Sequence, residues 1–165
     1  MKTVDIAILH DLLDLNDGML FWKKRVSTHV YAGDRAGVVL PSGYRQVKIN
    51  GVCYREHRVI WAMVNGSWPE NEIDHINRNR ADNRIENLRA ATRSQNGTNI
   101  PDKKGSSMYR GVSSKNNRWR ATLSLDGKGF HIGTYDSEAD AARAYDEAAI
   151  FYKGDFAVLN FGGTC

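Results

Sequence analysis

Ile73-Asp74-His75-Ile76-Asn77-Arg78-Asn79-Arg80-Ala81-Asp82-Asn83-Arg84-Ile85-Glu86-Asn87-Leu88-Arg89, followed by Thr92-Arg93-Ser94-Gln95-Asn96, decides how this chain is read. The segment from Asp74 to Arg89 crowds a histidine, acids, arginines and several asparagines together and reads as too polar to be core. Asn and Asp favour turns, so a loop is the plain expectation. The same residue types also suit phosphodiester hydrolysis, which needs a base for water and positive charge beside the transition state. A neutral histidine serves as a base near pH 7. Mg²⁺ takes hard oxygen ligands, usually one or two from protein, and keeps several waters. Asp74 and the amide oxygen of Asn96 fit that demand, and Arg78, Arg80 and Arg84 are candidate phosphate contacts. Thr92-Arg93-Ser94-Gln95 is a capping box, so a short helix begins near Thr92 and carries Asn96.

Upstream, residues 4–15 predict an amphipathic helix through Val4, Ile8, Leu12 and Leu15. Asn16-Asp17-Gly18 is a turn, and a strand from Met19 to Arg25 follows. Asn50-Gly51 between two alternating runs predicts a hairpin joining residues 43–49 to 52–55. The pattern becomes helical from His57 to Asn65, with Gly66 as its C-terminal cap and Pro69 beyond. Trp61 and Trp68 read as core residues. His57 reads equally as a packed residue and as a phosphate contact.

Downstream, residues 101–107 look like a linker. Three strands are expected at 109–114, 118–125 and 129–135, with a turn at Asp126-Gly127. An Ala-rich helix follows from Ser137 to Tyr152, with Gly154 after its end. In the middle strand Trp119, Ala121, Leu123 and Leu125 point one way, and Arg118, Arg120, Thr122 and Ser124 the other. The first set packs on Ala141, Ala142, Tyr145 and Ala149; the second is left basic and exposed, a face fit for the major groove.

Charge follows the same division. Between Pro101 and Phe130 the basic residues are Lys103, Lys104, Arg110, Lys115, Arg118, Arg120 and Lys128, against Asp102 and Asp126. From Asp136 to Asp155 acids dominate. One face aimed at a polyanion and one at water would give this pattern. At 41% hydrophobic and 25% charged, the composition is that of a globular protein, and no apolar run approaches a membrane span. The start of the chain does not read as a secretory signal. Cys53 and Cys165 form neither a disulfide framework nor a zinc spacing, so a reducing cytosol is expected.

Taken together, Gly18-x-Leu20-x-Trp22-Lys23, Tyr44, His57-Arg58-x-x-Trp61, Gly66-x-Trp68-Pro69, Asp74-His75-Ile76-Asn77, Asp82-Asn83-Arg84, Glu86-Asn87-Leu88-Arg89 and Gln95-Asn96 resemble the HNH homing endonucleases, the phage-type branch in particular. The resemblance implies a ββα-metal motif around residues 72–99, with His75 as general base and Asp74 and Asn96 as ligands of Mg²⁺ (or Mn²⁺). It makes Asn87 the middle asparagine, which braces the loop and helps orient the histidine. Asn96 replaces a final histidine, giving an H-N-N variant. Asn99 is a rival ligand on the same helix, with Asn96 preferred. Adjacent strand residues point to opposite faces, so Asp74 and His75 share a site only where the strand ends or kinks.

Tyr109-Arg110-Gly111-Val112, Trp119-x-Ala121, Ile132-Gly133-Thr134-Tyr135, Ala141-Ala142-x-Ala144-Tyr145-Asp146-x-Ala148-Ala149, Gly154 and Leu159-Asn160-Phe161 resemble the plant ethylene-response-factor (APETALA2-type) DNA-binding domain. That family reads DNA with a three-stranded sheet, and the matching contact positions are Arg110, Ser113, Lys115, Arg118, Thr122, Ser124 and His131; Arg120 on the basic face joins them. Several arginine positions are serine here and a tryptophan position is His131, so the family's target sequence does not carry over.

The expected fold is α+β. A β-rich N-terminal scaffold with a ββα-metal (HNH) nuclease motif spans 1–100, a linker 101–108, and a three-stranded antiparallel sheet packed on one α-helix 109–165. The expected function is a homing-type DNA endonuclease that leaves 5′-phosphate and 3′-hydroxyl ends. It would act on double-stranded DNA as a monomer or homodimer, without a membrane, in the cytoplasm of a phage-infected host. The alternative is a DNA-binding regulator with an inactive nuclease centre; a structural or RNA-binding protein ranks third.

Overall fold

Turn chemistry sets the architecture. The computed structural model describes residues 3–99 and 105–162. Within it, Asp17-Gly18, Asn50-Gly51, Asn116-Asn117 and Asp126-Gly127 all have positive φ at both positions. Two successive left-handed residues match the twist of a tight hairpin, and Asn, Asp and Gly tolerate them best. Each pair closes an antiparallel hairpin.

The chain packs as two units, residues 1–91 and 92–165. In the first, α1 (Ile6–Leu12) starts at Asp5, whose carboxylate accepts from the Ala7 amide at 2.8 Å. The helix is shorter than its apolar spacing predicts, because Leu13 leaves it to pair with Trp22. That pairing joins β1 (Leu13–Asn16) to β2 (Met19–Trp22) and buries both residues. The predicted strand 19–25 therefore stops at Trp22. β3 (Val38–Val39), β4 (Arg45–Ile49) and β5 (Val52–Arg55) form a sheet in that order. α2 (Glu56–Asn65) follows and ends at Gly66, φ +67°. β6 (Glu72–His75) pairs antiparallel with β7 (Leu88–Ala91). Leu9, Leu20, Val47, Ile49, Val59 and Ile60 are the centre of one core, with Trp61 and Trp68 packed against it as expected.

Glu56 is the exception inside that core. It is fully buried, and its two carboxylate oxygens accept from Arg35 Nη2 and Arg45 Nε. A buried carboxylate is tolerable only when paired in this way. Glu56→Gln should lower unfolding free energy by about 2 kcal/mol, the worth of charge-assisted hydrogen bonds. Urea unfolding of the two proteins measures it, and equal midpoints would show that the ion pairs contribute nothing.

In the second unit, α3 (Arg93–Thr98) is capped by Thr92 with both halves of the capping box formed. β8 (Val112–Lys115), β9 (Arg118–Leu125) and β10 (Lys128–Tyr135) make an antiparallel sheet with β9 in the middle. α4 (Glu138–Lys153) begins at Ser137, whose hydroxyl accepts from the Asp140 amide. Ala141, Ala142, Tyr145 and Ala149 are buried against Val112, Ala121 and Leu123 of the sheet. Small side chains let the helix lie close to the strands. Lys103 and Lys104 of the basic stretch, with residues 101–104 of the expected linker, lie outside the described residues.

Among the described residues no helix is long and apolar enough to cross a membrane.

Candidate functional site

The polar stretch does not stay outside the core. Asp74, His75, Asn83 and Asn87 are all buried, contrary to the expectation for so polar a segment. Local hydrogen bonds make this possible, since they satisfy the loop's own polar groups. Asn77 Oδ1 accepts from the Asn79 amide (2.8 Å) and Asn79 Oδ1 from the Ala81 amide (3.1 Å). These are successive Asx turns. Asn87 then closes the loop from its far end. Its Oδ1 accepts from the Asn77 amide at 2.9 Å and its Nδ2 donates to the Asp82 carbonyl at 2.7 Å.

His75 is the last residue of β6 and is 4% exposed. Its Nε2 lies 2.9 Å from Asn83 Oδ1. The His57 ring meets it edge-on at 5.0 Å, and the Tyr44 ring lies 5.9 Å away. Arg55 and Arg80 sit over the Tyr44 ring at 5.3 and 4.9 Å, within the reach of cation–π attraction. The resemblance gave Asn87 two tasks, bracing the loop and helping to orient the histidine, and its two hydrogen bonds do brace the loop. Asn83 is the side chain that meets the imidazole. The pattern Asp82-Asn83-Arg84 held the signal, but Asn83 could not be told from its neighbouring asparagines without knowing which one turns inward.

His57 is packed, not presented to solvent. Burial pushes its pKa from the ordinary 6.5 down to about 3, and His75, Arg58 and Arg55 push the same way. Its Nδ1 has no hydrogen-bond partner among the described residues. The sign of the linkage follows. Below pH 6.5 the unfolded chain takes up a proton that folded His57 refuses, so this group withdraws stability as pH falls from about 6.5 to about 3. The slope approaches about 1.4 kcal/mol per pH unit and vanishes below the folded value. His57→Phe should therefore lose less stability than wild type across that window, as read from urea midpoints at successive pH. Parallel curves would mean that folded His57 accepts the proton.

Asp74, also 4% exposed, takes a different partner. Its Oδ2 accepts from both Nε and Nη2 of Arg89, each at 2.9 Å, directly across the β6–β7 ladder. Strand alternation thus gives the two neighbours separate partners. Asn96 lies on α3 and Asn99 is that helix's C-cap, so both belong to the second unit. Among the described residues no three His, Cys, Asp or Glu side chains gather as a metal cage. A buried carboxylate such as that of Asp74 is a hard oxygen donor, suited to a cation that keeps its waters and unsuited to a zinc site.

The loop arginines differ among themselves. Arg84 is exposed but forked onto Asp82, Nε to Oδ1 at 2.9 Å and Nη2 to Oδ2 at 2.8 Å. The Arg84 hydrogen bonds hold the Asp82 carboxyl well below the usual carboxylate range, and Asn77 helps. Arg80 donates to the Ser42 carbonyl at 2.9 Å. Arg78 is exposed, with φ +64°.

In the second unit, cross-strand register sets Ser113 beside Arg120, Lys115 beside Arg118 and Thr122 beside His131. Ser113, Lys115, Arg118, Ser124 and His131 are exposed, and Arg120 and Thr122 half-buried. Arg118 is held by Asp136 at 2.7 Å. Arg120 Nε is buried with no acceptor among the described residues. Arg110 donates through Nη1 to the Thr98 carbonyl at 2.7 Å, and its own amide is taken by Asn160 Oδ1. It is therefore engaged with α3 and the end of the chain, which its sequence position did not reveal.

Two family models match the chain. One, described as HNH endonuclease, covers residues 54–98 and so includes His75, Asn83, Asn87 and Asn96. The other, described as AP2 domain, covers residues 107–155, from before β8 to just beyond α4. The chain combines an HNH endonuclease domain with an AP2 domain. Curated relatives agree for the second part. APETALA2-like protein 2 of Oryza sativa subsp. indica is 48% identical over 61 residues, which are 35% of this chain and 14% of the rice protein. Ethylene-responsive transcription factor WRI1 of Arabidopsis thaliana is 45% identical over 62 residues, 35% of this chain and 14% of that protein. The chain thus spans only about one seventh of the length of these relatives.

Proposed function

We propose that this chain is a homing-type DNA endonuclease that hydrolyses phosphodiester bonds and leaves 5′-phosphate and 3′-hydroxyl ends. The observation that carries the reading is the buried His75. It is bonded through Nε2 at the end of a loop strapped by Asn87, inside the segment that matches the HNH endonuclease model. His75 would take a proton from the attacking water. Asp74 and Asn96 would hold Mg²⁺ or Mn²⁺, which when bound supplies charge stabilisation for the phosphate and the departing 3′ oxygen. Arg78, Arg80 and Arg84 would hold flanking phosphates.

The C-terminal sheet would present Lys115, Arg118, Arg120, Thr122, Ser124 and His131 to duplex DNA. The unpartnered Arg120 Nε supports this, because a buried donor without an acceptor is costly unless a ligand completes it. Arg110 would act from its place against α3. Tethering the nuclease raises its effective concentration at a bound site. One centre cuts one strand at a time, so a monomer would nick and a homodimer could break both strands.

The test is to incubate the protein with host or phage DNA and Mg²⁺ or Mn²⁺, then map the ends on each strand. Cleavage should disappear with a chelator and return when the cation is restored. DNA left intact with either cation would end the nuclease reading. A second reading, a DNA-binding regulator with a silent centre, is favoured by the doubly bonded Arg89 on Asp74, which competes with a cation for the carboxylate. Tight binding of duplex DNA without any cleavage would establish it.

A further inference from the structure

We propose that Asn83 is a positioning residue for His75: its amide oxygen accepts the imidazole Nε2–H and so fixes the ring's orientation and tautomer. The inference rests on the reading of His75 as the base.

The geometry is specific. Asn83 is 1% exposed, and its Oδ1 stands 2.9 Å from Nε2 of a histidine that is itself buried. A hydrogen bond shielded from water is stronger than an exposed one and fixes the ring more firmly. Asn83 Nδ2 has no partner among the described residues. An amide retained only to fill space or tie the loop would use both ends, and a leucine would fill the same volume without an unmet donor. Asn83 pays that cost while one end serves His75.

Its backbone is held as well. Gly18, φ +69°, comes so close that a Cβ there would lie 2.7 Å from the Asn83 carbonyl carbon. The β1–β2 turn thus buttresses the loop at the residue that meets the imidazole. Asn87 holds the preceding carbonyl, that of Asp82. Tautomer choice at a histidine is set by the hydrogen bond its other nitrogen makes. If Nε2 carries the proton toward Asn83, Nδ1 is the nitrogen with a lone pair.

Proton NMR of the full-length protein with ¹⁵N-labelled histidine provides a readout separate from activity. Wild type should show a slowly exchanging His75 Nε2–H resonance. Asn83→Leu should lose it and cut DNA about 10- to 100-fold more slowly, as for other residues that orient a reacting group, with duplex affinity unchanged. Asn83→Asp, which keeps the acceptor and removes the unmet donor, should retain the resonance and most of the cleavage.

A folded Asn83→Leu protein that keeps the resonance, or cuts like wild type, overturns the proposal. If Asn83→Leu does not fold, Asn83→Asp decides: loss of its resonance also overturns the proposal, and its retention supports it. If wild type never cuts DNA but its resonance vanishes in Asn83→Leu, the nuclease reading fails while the pairing stands.

Discussion

His75→Ala is expected to slow DNA cleavage by about 10²- to 10⁴-fold, the usual worth of a general base, and to leave affinity for duplex DNA unchanged. The separation follows from position. His75 is buried at the end of β6, with Asn83, His57 and Tyr44 around it, and is not part of the exposed basic sheet of the second unit. On the proposed reading, loss of the ring removes the base without removing a surface contact. His57 is a poor substitute although its ring is only 5.0 Å away. Held near a pKa of 3, it is neutral at pH 7 but too weakly basic to take a proton from water efficiently. Single-turnover cleavage and equilibrium binding, measured on the same DNA with Mg²⁺, separate the two quantities. An alanine variant that cuts as fast as wild type would move the base elsewhere; one that fails to bind would show that His75 acts through the fold.

What could be read in advance was what neighbouring residues determine among themselves. Asn50-Gly51 and Asp126-Gly127 announced their hairpins because few other residues take two left-handed conformations in succession. Thr92 and Ser137 announced their helices because a capping oxygen three residues before an amide needs no tertiary context. Tertiary pairing defeated the reading elsewhere. Residues 13–15 have helical spacing but join a strand, since Leu13 gains a buried partner in Trp22. The two-residue edge strand β3 gave no pattern at all.

The site shows the same limit. His75, Asn87, Asp74 and Asn96 were picked out by residue type and resemblance. Their partners were not. Nothing in one dimension says that Asp74 faces Arg89 across a ladder, that Arg118 is held by Asp136, or that Arg110 reaches Thr98. Asn77 and Asn79 build turns at the surface while Asn83 turns inward to His75, although all three are asparagines in one loop. Burial separates them: the β1–β2 turn closes on Asn83 and His57 of α2 packs on His75, both from parts of the chain remote in sequence.

Gly111→Ala should cost the second unit at least about 3 kcal/mol, adding a left-handed backbone penalty to an overpacked core. Gly111 has φ +70°, and a Cβ there would strike the Tyr145 ring and stand 2.7 Å from the Thr122 carbonyl oxygen. Neither neighbour can yield cheaply. Tyr145 is buried beneath the sheet, and the Thr122 amide donates to the Gly111 carbonyl at 2.8 Å, locking the two backbones together. Gly127 is the control. Its φ is +78° but nothing lies within 4 Å, so Gly127→Ala should cost only the conformational part, about 1 kcal/mol. Displacing Gly111 also disturbs β8, which carries Ser113 and Lys115, and the adjacent Arg110 amide held by Asn160. Gly111→Ala should therefore weaken duplex binding at temperatures where the Gly127 variant still binds like wild type. Denaturant unfolding and DNA titration of the three proteins give both comparisons. Equal midpoints for the two alanine variants would mean that Tyr145 and β8 separate freely, and that the close approach of strand and helix does not hold the sheet in place.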